Sequence, residues 1–197
     1  MNIEKLIPLL LEKQRRFVAQ SGGKTTTPIQ IKRPSWKDVY EGYPKSGNDD
    51  KPATEVFPEL LGKDYDTKTF GNACATRVSL GLINGGMKVK TAFKITNKKH
   101  TFYNKGFQTS ASGLQSWLIK PDVWGSPDVT VKGPSNITAV ADKINEGKIK
   151  NGVYIILGGF GDGISGHATL WIGNNRNVIG GHNYVDYGGT VYFWELK

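Results

Sequence analysis

A single cysteine is the residue in this 197-residue chain whose chemistry is easiest to place. Cys74 lies at the start of an apolar run that predicts a buried helix, with Asn72 as its N-cap. Backbone N–H groups and the helix dipole at such a position lower the pKa of a thiol and favour the thiolate. The same N–H groups can hold the oxyanion of an attacked carbonyl. Cys74 is therefore a candidate nucleophile.

A nucleophilic cysteine needs a general base, which is usually a histidine. His100 lies in the basic run NKKH and is typical of a solvated loop residue. His167 opens a predicted strand directly after a glycine-rich loop, at a position that would form the mouth of a cleft. His182 lies on the next predicted strand, and a hairpin centred on Asn174 and Asn175 would pair it with His167. A lone cysteine or histidine is more often structural, so the hypothesis depends on their combination.

The elements that must position these residues follow from hydrophobic periodicity and turn signals. Helices are predicted over residues 3–19, 35–43, 72–84, 112–119 and 135–146, and strands over 88–96, 152–159, 167–173, 177–184 and 190–196. Residues 21–28 are typical of a linker, and the polar segment 46–52 is expected to be a mobile turn. Helices followed by an antiparallel meander predict an α+β fold.

Composition sets wide limits on function. The net charge of +9 favours polyanionic partners, among them nucleic acid, anionic membranes and cell-wall polymer. One cysteine cannot form an internal disulfide, and one cysteine with three scattered histidines offers no zinc-type ligand spacing. No apolar run is long enough to span a membrane, and the N-terminus does not resemble a Sec signal peptide. We therefore expect no metal, no cofactor and no membrane association.

Several motifs resemble one known family. The runs NACATRVSLGL, GHATLW and VYFWEL, with RPSWKDVY near the start of the match, are similar to the fourth family of amidase effectors of bacterial type VI secretion systems. The resemblance covers Arg33 to Lys197. It implies a papain-like fold of the NlpC type, with Cys74 as nucleophile and His167 as base. It also implies cleavage of peptidoglycan stem peptides between γ-D-glutamate and meso-diaminopimelate, and a cognate immunity protein.

The third catalytic residue is where the sequence departs from the family. An aspartate usually follows the histidine by about eleven residues, but Val178 stands at that position here. A partner is needed to fix the tautomer of His167 and to stabilise its imidazolium form. His182, Asp186 and Asn177 are the candidates, and pairing across the hairpin favours His182.

These observations together predict an N-terminal helix and linker over residues 1–32 and a cysteine amidase domain over residues 33–197. The protein is expected to be an antibacterial effector that leaves the cell without a Sec signal, by means of a secretion-apparatus component, and acts in the periplasm of a target bacterium. One alternative is a housekeeping NlpC-type cell-wall hydrolase. The other is a basic, non-catalytic module that binds nucleic acid, although the sequence contains no nucleic-acid-binding motif.

Overall fold

The computed structural model describes residues 33–161 and 164–197, together with four two-residue strands between residues 16 and 30. These strands are β1 (Arg16–Phe17), β2 (Gln20–Ser21), β3 (Lys24–Thr25) and β4 (Ile29–Gln30). Strand β1 pairs with β4, and β2 pairs with β3. The predicted helix over residues 3–19 is therefore wrong at residues 16 and 17. The part of that prediction over residues 3–15 lies outside the described residues.

The rest of the described chain contains five α-helices, three short 3₁₀ helices and seven further strands. The helices are α1 (Trp36–Gly42), α2 (Ala53–Leu61), α3 (Cys74–Asn84), α4 (Ala111–Leu118) and α5 (Ile137–Ile144). The strands are β5 (Lys45–Ser46), β6 (Asp49–Asp50), β7 (Val129–Lys132), β8 (Asn151–Leu157), β9 (Gly166–Ile172), β10 (Asn177–Val178) and β11 (Thr190–Leu196). No helix among the described residues has both the length and the apolar character needed to cross a membrane.

The C-terminal half of the chain forms a five-stranded antiparallel sheet in the order β10-β9-β8-β11-β7, and α5 lies between β7 and β8 along the chain. The central strands β8 and β9 are nearly continuous runs of buried residues, because both faces of the sheet are covered there, whereas β11 mixes buried and half-buried residues. This arrangement confirms the predicted α+β class. The predicted strand over residues 88–96 is wrong, since that segment contains only an isolated bridge between Lys94 and Gly106.

Helix α3 is the centre of the helical half. Every residue from Cys74 to Ile83 is buried, and the helix packs against α1 on one side and β9 on the other. The contact with α1 requires Gly81, because a Cβ atom there would lie 2.6 Å from the Val39 carbonyl oxygen. Ser35 caps α1 as predicted, with its Oγ accepting a hydrogen bond of 3.1 Å from Asp38 N. The helix carrying Cys74 is thereby held rigidly against the sheet.

The hairpin after β9 has the predicted register but is shorter than predicted. Asn177 pairs with Ile172 and Val178 with Trp171, so the turn lies at the expected place. The ladder ends at Val178, where Gly180 and Gly181 adopt φ values of +68° and +73° that other residues rarely adopt. The predicted strand over residues 177–184 is wrong beyond Val178, and the ladder does not extend to His167 and His182.

Candidate active site

Cys74 occupies the first position of α3, and its side chain is buried, with the residue 3% exposed. Ala73, rather than the predicted Asn72, is the N-cap residue of the helix. Asn72 still satisfies one N–H group of the first turn, since its Oδ1 accepts a 2.9 Å hydrogen bond from Cys74 N. The N–H group of Cys74 is therefore engaged and does not face an empty oxyanion site.

The electrostatic surroundings of the thiol differ from the expectation. Burial raises the pKa of Cys74, and this effect outweighs the backbone N–H groups of Ala168 and Ala75, which hydrogen-bond to the sulfur and lower the pKa. The predicted lowering by the helix N-terminus is thus present but smaller than the cost of removing the thiolate from water. In the resting protein the sulfur is held as a neutral thiol.

His167 is the second residue of β9 and is also buried, with 6% of its surface exposed. Its Nε2 is buried and has no hydrogen-bond partner among the described residues. Burial, followed by the positive charges of Arg77 and His182, lowers the pKa of His167 to about 3. The imidazole is therefore neutral at neutral pH and can accept a proton.

The backbone of β9 connects the cysteine to the histidine. Ala168 directs its N–H group at the sulfur of Cys74, and Ala168 is the residue next to His167. The start of α3 and the start of β9 consequently meet at one point, as the sequence motifs imply. The thiol and the imidazole are thus both buried, on elements that pack against each other.

Tyr184 links His167 to His182. Its ring meets the His167 ring edge-on at 4.8 Å between centroids and stacks with the His182 ring at 6.1 Å. Tyr184 has a φ of +56°, a backbone conformation that non-glycine residues seldom adopt and that orients its ring toward both histidines. His182 is exposed and affects the pKa of His167 through its charge, but no hydrogen bond joins the two histidines.

The other two candidates for a third residue lie elsewhere. Asp186 is exposed in the 3₁₀ turn Val185–Tyr187. Asn177 is in β10, where its Oδ1 accepts hydrogen bonds from Val178 N at 2.9 Å and from Asn183 Nδ2 at 3.2 Å. Neither residue contributes to the pKa shift of His167, whereas His182 does.

A buried polar network beside the site was not predicted. Arg77 Nη2 pairs with Asp50 Oδ2 at 2.9 Å, and Tyr43 Oη donates to Asp50 Oδ1 at 2.6 Å. Tyr43 Oη also lies 3.2 Å from Thr169 Oγ1. Burial, and then the Asp50 carboxylate, raise the pKa of Tyr43, which therefore stays protonated. Segment 46–52, expected to be a mobile turn, is instead the β5–β6 hairpin that supplies Asp50.

This network has one member on each element of the site. Arg77 lies one turn after Cys74 on α3, and Thr169 lies two residues after His167 on β9. The sequence signals that could have indicated this network are the arginine and the serine of the NACATRVSLGL motif, Arg77 and Ser79. Ser79 Oγ donates to Ala75 O at 2.8 Å and accepts from Gln108 N at 3.0 Å, so it anchors the following segment to α3.

The remaining features do not belong to this site. A cavity of about 300 Å³ lies between the β5–β6 hairpin and β10 and is lined by Asn177, but not by Cys74 or His167. His100 lies in a loop, where its Nδ1 accepts a 3.0 Å hydrogen bond from Phe102 N. Among the described residues, no cluster of histidine, cysteine, aspartate or glutamate side chains has the make-up of a metal site.

Comparison with known families gives a match over the site and the sheet. Residues 70–194 match the profile of a family described as type VI secretion system (T6SS), amidase effector protein 4. The match covers more than half of the chain and includes both Cys74 and His167. No curated protein matches the chain.

Solved structures share the fold. The effector in the Tae4–Tai4 effector–immunity complex from Enterobacter cloacae is 23% identical, with a TM-score of 0.60 over 84% of this chain and 100% of that one. The effector in the corresponding complex from Salmonella Typhimurium is 21% identical, with a TM-score of 0.62 over 84% of this chain and 100% of that one. The structure of Tae4 alone from Enterobacter cloacae is 23% identical, with a TM-score of 0.62 over 85% of this chain and 99% of that one. The likeness confirms the α+β fold and is consistent with its papain-like, NlpC-type form.

Proposed function

The chain belongs to the family of type VI secretion system amidase effectors, and from this premise we propose that it is a cysteine amidase acting on peptidoglycan stem peptides. One observation carries the proposal. Cys74 at the start of α3 contacts the backbone of Ala168, and the preceding residue of β9, His167, has a buried Nε2 with no partner among the described residues. The bond cleaved is that between γ-D-glutamate and meso-diaminopimelate, by analogy with the family.

The neutral resting state determines how the reaction starts. His167 removes the proton from the Cys74 thiol as the thiolate attacks the carbonyl carbon of the scissile amide. The resulting imidazolium then gives this proton to the nitrogen of the leaving amine, and the C–N bond breaks. A thioester remains on Cys74. Water, deprotonated by His167, attacks the thioester, releases the new carboxylate and restores the thiol.

His182 is the third residue of this proposal. It is the only one of the three candidates whose charge reaches His167, and both rings pack on Tyr184. The charge of His182 lowers the pKa of His167 and so favours the neutral form of the base. Its role is to position the base through Tyr184, rather than to touch the substrate.

The biological setting extends the proposal. We expect a component of the secretion apparatus to export the protein without a Sec signal, and a cognate immunity protein to block it in the producing cell. The related Tae4 proteins have been solved in complex with Tai4. Residues 33–197 form the catalytic domain, whose start is fixed to its end by the Trp36 N to Lys197 O hydrogen bond of 2.7 Å. Residues 1–32 are an N-terminal extension.

Digestion of purified sacculi tests the proposed reaction. Mass spectrometry of the released fragments should show stem peptides cut between γ-D-glutamate and meso-diaminopimelate. Fragments cut at another bond would correct the substrate assignment, and no release would contradict the amidase activity. Fused to an export signal in a Gram-negative host, the protein should lyse cells, while the unfused protein should be tolerated. Equal killing without export would favour an intracellular target such as nucleic acid.

A further inference from the structure

The positive charge of the protein comes from one segment. Residues 67–121 contain nine of the 26 lysines and arginines and none of the 17 aspartates and glutamates. The rest of the chain therefore carries 17 residues of each sign, so this segment accounts for the whole net charge of +9. Such an asymmetry creates a local positive field that attracts anionic polymers.

The fold gathers four of these lysines on one surface, which we call the lysine patch: Lys88, Lys90, Lys94 and Lys105. The bridge between Lys94 and Gly106 and the 2.9 Å hydrogen bond from Ile95 N to Lys105 O hold the second pair together. Gly106 allows the segment that contains Lys88 and Lys90 to pack closely against the segment that contains Lys105. A Cβ atom at Gly106 would lie 2.5 Å from the Val89 carbonyl oxygen.

A cavity of about 360 Å³ opens between these runs, and the four lysines supply half of its eight lining residues. All four are exposed, and none forms an ion pair with a carboxylate in the described part of the chain. By contrast Arg77, in the same segment, is buried and neutralised by Asp50. The charge of the patch is thus available to a ligand.

The patch is joined rigidly to the helix that carries the nucleophile. Gln108 Nε2 donates to Lys90 O at 3.1 Å, while Gln108 N donates to Ser79 Oγ at 3.0 Å and Gln108 O accepts from Thr76 Oγ1 at 3.1 Å. Lys88 lies four residues beyond the end of α3. The eleven residues of α3 span roughly 16 Å, so Lys88 follows the end of the helix that is far from Cys74.

We propose that the lysine patch is a second binding surface, which holds the carboxylates of the peptidoglycan polymer while one of its stem peptides is cut. The inference rests on the proposed function. Stem peptides carry free carboxylates, and an insoluble polymer presents many stems close together. A contact some distance from Cys74 therefore raises the effective concentration of neighbouring stems at the active site, without contributing to hydrolysis of a single small fragment.

Two matched quadruple variants test the surface. One changes the patch, Lys88, Lys90, Lys94 and Lys105, to glutamine. The control changes four exposed lysines outside residues 67–121, namely Lys63, Lys132, Lys143 and Lys197, and so removes the same charge. Binding to purified sacculi is measured by sedimentation with Cys74→Ala present in every protein, at low and high salt, and turnover of a soluble muropeptide is measured with Cys74 intact.

The patch variant should lose at least about tenfold in sacculus affinity at low salt, and the control less than about threefold. Soluble turnover should stay within about twofold of wild type in both. Equal losses in the two variants, or no loss in the patch variant, would overturn the inference. So would tighter patch-dependent binding to duplex DNA or to phosphatidylglycerol vesicles than to sacculi. Absence of soluble turnover in the wild type would contradict the proposed function, whereas the sedimentation result still decides the role of the patch.

Discussion

Arg77 on α3 and Asp50 on β6 form a buried ion pair, with 2.9 Å between Nη2 and Oδ2. Burial dominates the pKa of the Cys74 thiol, but Arg77 lowers that pKa and Asp50 raises it. After burial, Arg77 is also the largest influence on the pKa of His167. Arg77 therefore acts electrostatically on both proposed catalytic residues and Asp50 on Cys74, while the pair fixes the β5–β6 hairpin to α3.

Asp50→Asn should destabilise the protein strongly. The substitution leaves a buried guanidinium without its counter-charge, which typically costs about 3–5 kcal/mol of unfolding free energy. Asp142→Asn is the matched control, because Asp142 pairs with Arg176 on the exposed surface. That change should cost less than about 1 kcal/mol. Urea denaturation at pH 7 measures both, and losses of equal size would contradict a structural role for the buried pair.

The wild type should lose stability on acidification more steeply than His167→Gln. The pKa of folded His167 is about 3, below its ordinary value of 6.5. On acidification the unfolded chain therefore takes up a proton on His167 at a higher pH than the folded protein does. The stabilisation that the neutral ring gives the folded state is present above pH 6.5 and is lost as the pH falls toward 3. Between pH 6.5 and 5 the difference in unfolding free energy between the wild type and His167→Gln should change by about 2 kcal/mol. Parallel curves would mean that His167 titrates normally.

Native Cys74 should react slowly with iodoacetamide at pH 7. Burial raises the pKa of the thiol, so the thiolate fraction is small, and the side chain is 3% exposed. Labelling in urea should be at least about tenfold faster, and labelling of the native protein should increase as the pH rises. Cys74→Ala provides the background, because no other cysteine is present. Rapid labelling that persists to acidic pH would instead indicate a resting thiolate–imidazolium pair.

How much of this site the sequence predicts depends on the range of the interactions involved. Local signals placed Cys74 at a helix start and His167 at a strand start, because caps and periodicity depend on neighbouring residues. The register of the β9–β10 hairpin also followed from its turn. The end of β10 did not, since Gly180 and Gly181 turn the chain away after two ladder pairs.

The unpredicted features arise from contacts between distant segments. The sequence predicts a mobile polar turn at Asp50, and only the fold brings its carboxylate to Arg77, 27 residues away. The direction of the thiol pKa shift likewise depends on burial that a helix start does not reveal. Helix α2 was missed, and it contains Pro58, a residue that normally interrupts a helix. The predicted strand over residues 88–96 failed because its alternating pattern has no neighbouring strand to pair with.

His182→Ala should reduce muropeptide turnover by roughly 100-fold or more, because a positioned partner of the base is lost. Asp186→Ala and Asn177→Ala should each stay within about threefold of wild type. The pH profile of turnover should also shift in His182→Ala, since the charge of His182 lowers the pKa of His167 after burial and Arg77. The opposite ranking of the three variants would assign the third position to Asp186 or Asn177.

The most direct test of the proposed catalytic pair is turnover of a defined soluble muropeptide by Cys74→Ala, His167→Ala and the double variant. We predict that each single variant falls to background while its circular dichroism spectrum stays that of the wild type. We also predict that the double variant is no worse than either, because residues acting as a unit do not give additive losses. Release of stem fragments by Cys74→Ala at the wild-type rate would contradict the account.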